Sequence, residues 1–179
     1  PISMRKQKMF KVKELEDQLN EAIRQQENQI KSKNLENLDE DVIGYTDLIM
    51  YNLETSGAVL TDDNDIDVFV DGGDKFEALL EDMRGAEHFI HMQYYIIKND
   101  VLFQRIKDVL IEKAAQGVEV RILFDGMGAR SVRGKCWREL NAKGIQTAEF
   151  FPALVGRFQL RINYRQHRQI VVIDNKIGY

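Results

Sequence analysis

Cysteine is nearly absent from this chain. The single one, Cys136, excludes an internal disulfide framework and fits a reducing compartment. A partly buried, unreactive thiol is the ordinary reading of such a residue. Long apolar runs are also missing: none approaches the ~20 residues that a membrane span needs. The opening Pro1-Ile2-Ser3-Met4 carries no apolar stretch, so no signal peptide is expected and the polypeptide should be soluble or peripheral as it stands. A net charge of -4 gives no general attraction for nucleic acid, and none is expected as a partner. There is no internal repeat and no low-complexity tract. The three histidines lack metal-ligand spacing, so neither a metal nor another cofactor is expected.

What remains is the composition of a folded protein, 44% hydrophobic and 30% charged, with room for one core and a tail. The charge is uneven. Arg5, Lys6, Lys8, Lys11 and Lys13 have no acid among them, whereas acids outnumber bases over residues 14–41. Such a strip suits anionic lipid, at roughly 1 kcal/mol per cation near the surface; a solvated helix start would look the same. Residues 8–30 lack Gly and Pro, and Phe10, Leu15, Leu19, Ala22 and Ile23 recur at helical steps. This predicts an amphipathic helix, so residues 1–40 are read as a helical extension and 41–179 as the compact domain.

Within that domain strands and helices alternate. The pattern predicts a strand over 66–70 stopped by Gly72-Gly73, and a helix capped by Asp74 and running to Gly85. It then predicts a strand over 88–97, a helix over 101–116 and a strand over 118–124. A helix over 132–143 and strands over 145–150 and 169–174 complete it. Residues 52–65 read as a loop. The expected fold class is α/β, a mostly parallel sheet covered by helices. Ile170-Val171-Val172-Ile173 is apolar at every position, which predicts a central strand covered on both faces. Asp174-Asn175-Lys176 looks like a hairpin turn, and Ile177-Gly178-Tyr179 like the start of a strand whose partner is missing. The natural protein is therefore expected to continue beyond Tyr179.

Chemistry concentrates just before that last strand. His167 stands at its mouth, near Arg157, Arg161, Arg165 and Arg168, with Asp174 seven residues on. Arginine forks match phosphate oxygens, and an imidazole can attack phosphorus or donate a proton. Alone, a histidine beside a strand is more often structural. His88 reads as exposed at a strand mouth, and His91 as a polar core or strand-edge residue. Asp125-Gly126-Met127-Gly128 reads as a loop near the site rather than a nucleotide cradle. Tyr94 and Tyr95 read as core packing, with a lipid-pocket border as the alternative.

The stretch Asn163-Tyr164-Arg165-Gln166-His167-Arg168-Gln169-Ile170-Val171-Val172-Ile173-Asp174 resembles the HxKxxxxD motif of the phospholipase D superfamily. His167 matches its His and Asp174 its Asp. With the segments at 88–97 and 121–128, the chain is similar to bacterial cardiolipin synthases in particular, from about Ile66 to Tyr179. Two departures stand out. The family's Lys is Gln169 here, a donor without charge, and losing one preorganised transition-state donor typically costs ~10²–10³ in rate. Only one motif copy is present, whereas family members usually pair two.

The resemblance implies His167, Gln169 and Asp174 as the catalytic motif positions, Asp174 bracing the motif, and Arg165 and Arg168 as phosphate ligands. It implies attack of His167 on phosphatidylglycerol, a phosphatidyl-histidine intermediate, and transfer to a second phosphatidylglycerol, giving cardiolipin and glycerol. It further implies an anionic phospholipid partner, a second phospholipase D-like half or a homodimer, and a place on the cytoplasmic face of the cell membrane. This chain, holding half of the site, should then be inactive alone. Two rival readings are a single-motif nuclease working as a homodimer, which salt-sensitive DNA binding would reveal, and an inactive scaffold half.

Overall fold

A computed structural model of the chain describes residues 13–32, 40–61, 64–150, 165 and 167–179. The expected helix residues 8–12, the basic residues Arg5 to Lys11, and Arg157 and Arg161 lie outside them. Two compact units divide the chain, Pro1–Asp67 and Val68–Tyr179.

In the first unit, α1 (Lys13–Lys31), α2 (Glu40–Ile43) and α3 (Thr46–Ser56) follow one another. The loop expected from residue 52 starts later, at Gly57. Its left-handed backbone (φ 63°) lets its N–H reach the Leu53 carbonyl and closes α3. Gln26 of α1 holds the following segment, accepting from Leu60 N (2.7 Å) and donating to Leu60 O (3.0 Å).

The second unit is the α/β part. Its order is α4 (Gly72–Gly85), β1 (Phe89–Tyr94), α5 (Val101–Ala115), β2 (Glu119–Asp125), α6 (Gly134–Ala142), β3 (Gln146–Phe150), β4 (Gln169–Ile173) and β5 (Ile177–Gly178). The five strands form one sheet in the order β3-β2-β1-β4-β5. β1 pairs parallel with β2 and β2 with β3, while β4 runs antiparallel to β1 and β5 antiparallel to β4. Four strands therefore point one way and β4 alone runs back. The successive β-α-β crossovers step in one direction across the sheet, so their helices share a face. Leu79, Leu80 and Met83 of α4, Phe103 and Leu110 of α5 and Leu140 of α6 enter one core with Ile90, Val120, Ile122, Val171 and Ile173.

Four further expectations change. Residues 66–70 form no strand: Val68 and Val70 are 83% and 99% exposed, since alternating apolar residues make a ladder only where a neighbour is available. The cap of α4 is Asp71, not Asp74. Asp71 Oδ1 accepts from Gly73 N (2.7 Å) and Asp74 N (3.2 Å), which draws Gly72-Gly73 into the helix. β4 is covered on one face among the described residues. Val171 and Ile173 are buried, while Ile170 and Val172 line an open groove of about 430 Å³ with His91, Gln93, Arg121 and Leu123. The terminal stub has its partner, since Ile177 pairs with Ile173 and Gly178 with Val172. The intervening turn has positive φ at Asp174 (53°) and Asn175 (56°), and Lys176 N bonds Ile173 O at 2.9 Å. That is the type I′ geometry that suits the twist of a hairpin.

Candidate active site

The carboxyl ends of β1, β2 and β3 meet the amino end of β4 at one edge of the sheet, where ligands of open α/β sheets bind. Asp125 closes β2 there. It is 1% exposed, and its Oδ1 accepts from Met127 N (2.9 Å) and Gly128 N (3.2 Å). Arg165 Nη1 stands 3.8 Å from the same oxygen with its side chain 9% exposed. A carboxylate so far from water needs this cation and these donors. The loop they hold is tight. A Cβ on Gly128 would fall 1.9 Å from the Tyr95 carbonyl oxygen, and one on Gly126 would fall 2.0 Å from Glu149 Oε1. Glycine at 128 thus lets the loop lie directly on the Tyr95 backbone, whereas the exposed Glu149 side chain could move aside for a Cβ at 126.

Tyr95, just past β1, carries this packing to His167. The rings meet edge to face, 4.5 Å between centroids and 73° apart. His167 and Arg168 are exposed. Gln169, the first residue of β4, is exposed and pairs with Tyr94 across the β1–β4 ladder. His167, Gln169, Arg168 and Arg165 thus gather at one end of β4. Arg165 is turned to Asp125, and its role toward a phosphate is a matter for the proposal below. Asn163, Tyr164 and Gln166 lie outside the described residues.

Asp174 sits at the other end of the strand, about 23 Å of extended chain from His167. Its carboxylate accepts from the backbone N–H groups of Glu87 (2.8 Å), His88 (2.9 Å) and Phe89 (2.7 Å), tying the hairpin turn to the start of β1. Burial alone would raise this carboxyl. The donors of Glu87, Phe89 and His88, with the His88 charge behind them, outweigh it and hold the pKa below the usual aspartate value.

The other candidates fall away from the site. His91 is in the middle of β1 on the open face, 2.8 Å from Glu119 and stacked on Phe89, and Arg121 binds the same Glu119 at 2.7 Å. The His91 hydrogen bond is the main cause of the low Glu119 pKa. Burial pushes the Cys136 thiol up. Among the described residues no three His, Cys, Asp or Glu side chains group as metal ligands, and no helix is long and apolar enough to cross a membrane. Sequence reasoning missed the Asp125–Arg165 pair and the Tyr95–His167 contact. The available signal was an acid closing a strand just before Gly-x-Gly, where a buried turn needs an acceptor.

The family described as "Cardiolipin synthase, PLD-like domain" matches residues 79–179. A cardiolipin synthase of Staphylococcus aureus (strain Mu50) is 44% identical over 150 residues, covering 84% of this chain and 30% of the relative. The major cardiolipin synthase ClsA of Bacillus subtilis (strain 168) is 46% identical over 133 residues, 74% of this chain and 28% of the relative. A Listeria monocytogenes cardiolipin synthase (serotype 4a, strain HCC23) is 38% identical over 161 residues, 90% and 33% respectively. The chain thus spans about 30% of the length of such relatives.

Proposed function

Because the chain belongs to the family of cardiolipin synthase PLD-like domains, we propose that it supplies one half of a phosphatidyltransferase site that joins two phosphatidylglycerol molecules. The observation that carries this reading is His167, presented at the carboxyl edge of the sheet against Tyr95 and beside the Asp125–Arg165 pair. A ring nitrogen of His167 attacks the phosphorus of one phosphatidylglycerol. The P–O bond to glycerol breaks, and glycerol leaves with a proton from a histidine of the second motif. The hydroxyl of another phosphatidylglycerol then attacks the phosphatidyl-histidine, returns that proton and breaks the P–N bond, giving cardiolipin. Two displacements replace one difficult step, and the phosphodiester is conserved without a nucleotide.

Arg168 contacts the phosphate. Arg165, held by Asp125, keeps a positive potential at the same edge. Gln169 offers a hydrogen bond without charge, so the site runs slowly. Asp174 acts at a distance by fixing the strand that presents His167. The second motif comes from the part of the relatives' length that this chain does not span, or from a second copy. The basic strip from Arg5 to Lys13 lies on the anionic membrane surface that holds the substrate.

The test is cardiolipin and glycerol formation by the full natural chain on phosphatidylglycerol vesicles, with trapping of an acid-labile, alkali-stable phosphoenzyme. Product and a trapped adduct that both disappear in His167→Ala are expected. Absence of both from the unsubstituted protein, even with Lys at 169, would overturn the reading.

A further inference from the structure

On the helix-covered side of the sheet, Lys75 lies in the first turn of α4, near the carboxyl end of β1. Its Nζ is 3.3 Å from Tyr94 Oη. The ammonium stands over three rings, 4.4 Å from the Phe76 centroid, 5.1 Å from Tyr179 and 5.9 Å from Tyr94. Among the described residues no carboxylate forms an ion pair with it, and Tyr179 Oη donates to Asp82 at 2.5 Å. Burial lowers its pKa. Ring faces attract an ammonium but supply no full opposite charge, so a half-buried lysine in this position lacks a counter-ion.

Phe76 and Tyr94 also wall a cavity of about 160 Å³, lined further by Met92, Phe103 and Ile106, with Leu102 and the exposed Lys98 also in its lining. Asp100 reaches its lining, but Asp100 Oδ1 caps α5 by accepting from Phe103 N at 2.9 Å. An apolar cavity of this size takes a benzene-sized group, about six carbons. The cavity adjoins the reactive edge, since Tyr94 pairs with Gln169 and the next residue, Tyr95, touches His167.

We infer that this cavity receives the carbons of one acyl chain of an anionic glycerophospholipid, with the Lys75 ammonium, which stands over the Phe76 and Tyr94 rings that wall the cavity, on the lipid's anionic head. The choice of ligand rests on the phosphatidyltransferase reading. An apolar slot beside an unneutralised cation is complementary to an amphiphilic anion, and to neither inorganic phosphate nor a neutral hydrocarbon alone.

Calorimetric titration of the full natural chain with short-chain phosphatidylglycerols below their micelle concentrations tests this. The dihexanoyl lipid is expected to bind about fifteenfold more tightly than the dibutanoyl one, since each of the two methylenes added to the chain in the cavity is worth about fourfold. Lys75→Met should weaken both by about tenfold, and Lys75→Arg should restore most of it. Leu102→Phe, which narrows the cavity, should abolish the chain-length difference while leaving glycerophosphoglycerol binding unchanged. Equal binding of the two lipids would overturn the site. So would a Lys75→Met protein that melts earlier yet binds both lipids normally. The two readings separate cleanly: Lys75-dependent lipid binding without cardiolipin formation sinks the transfer reaction alone, and cardiolipin formation with Lys75-independent binding sinks this site alone.

Discussion

The two ends of β4 carry the same motif and are built in opposite ways. At the Asp174 end a carboxylate accepts three backbone N–H groups, and a type I′ turn fixes the chain with local hydrogen bonds. At the His167 end the contacts are between side chains far apart in sequence: Tyr95 against His167, and Asp125 facing Arg165. One end is tied down and the other presents an exposed imidazole and Arg168. A seven-residue spacing therefore separates a carboxylate that braces the turn from an exposed imidazole by the length of a strand. The brace keeps β4 in register with β1, and that register puts Gln169 beside Tyr94 and His167 next to the loop after β1.

Substitutions at the two ends should diverge accordingly. The largest effect is expected from His167→Ala, a fall in transfer rate of roughly 10³-fold or more in the full natural chain. Its melting temperature should barely move, because His167 is exposed. If the protein unfolds instead, the division between the ends is wrong. Asp125→Ala should lower stability, measured by urea denaturation, by removing the buried acceptor of the Met127 and Gly128 N–H groups and a carboxylate partner of Arg165. Gln169→Lys should raise the transfer rate by about 10²-fold and leave stability unchanged, as it restores a charge where phosphoryl oxygens develop it.

At the brace, Asp174→Asn should cost about 1–2 kcal/mol, leaving activity per folded molecule near normal. Its pH dependence has a definite sign. Because the folded Asp174 pKa is depressed, its contribution is present above the unfolded value of about 3.9 and is lost as pH falls through the lower folded value. Chemical denaturation across that acid range should show a shallower loss in Asp174→Asn than in the unsubstituted protein. Identical slopes would remove Asp174 from the brace.

Much of this was legible from residues close together in sequence. The helix over Val101–Ala115 shows in the spacing of Phe103, Ile106, Val109 and Leu110, and the strand over Glu119–Asp125 in its alternation. The hairpin shows in Asp174-Asn175, two residues that tolerate positive φ. Errors arose wherever a distant partner decided. Residues 66–70 have the composition of a strand but no pairing neighbour among the described residues. Asp74 has the residue type of a cap, but the path of the chain into α4 puts Asp71 in that place. Val172 is as apolar as Val171, yet among the described residues the helices lie on one side of the sheet and bury Val171 and Ile173.

By itself, then, the sequence determined the alternation of helices and strands, the turn chemistry and the identity of the motif, because periodicity, φ preference and residue type act over a few positions. Tertiary structure alone decided which face of β4 is covered and that Asp174 binds the backbone of residues 87–89. It also decided that Arg165 meets Asp125 and that Lys75 stands among three rings beside a cavity. Each of these joins groups tens of residues apart. Their energies come from desolvation and packing, which exist only once the sheet order has brought those groups together.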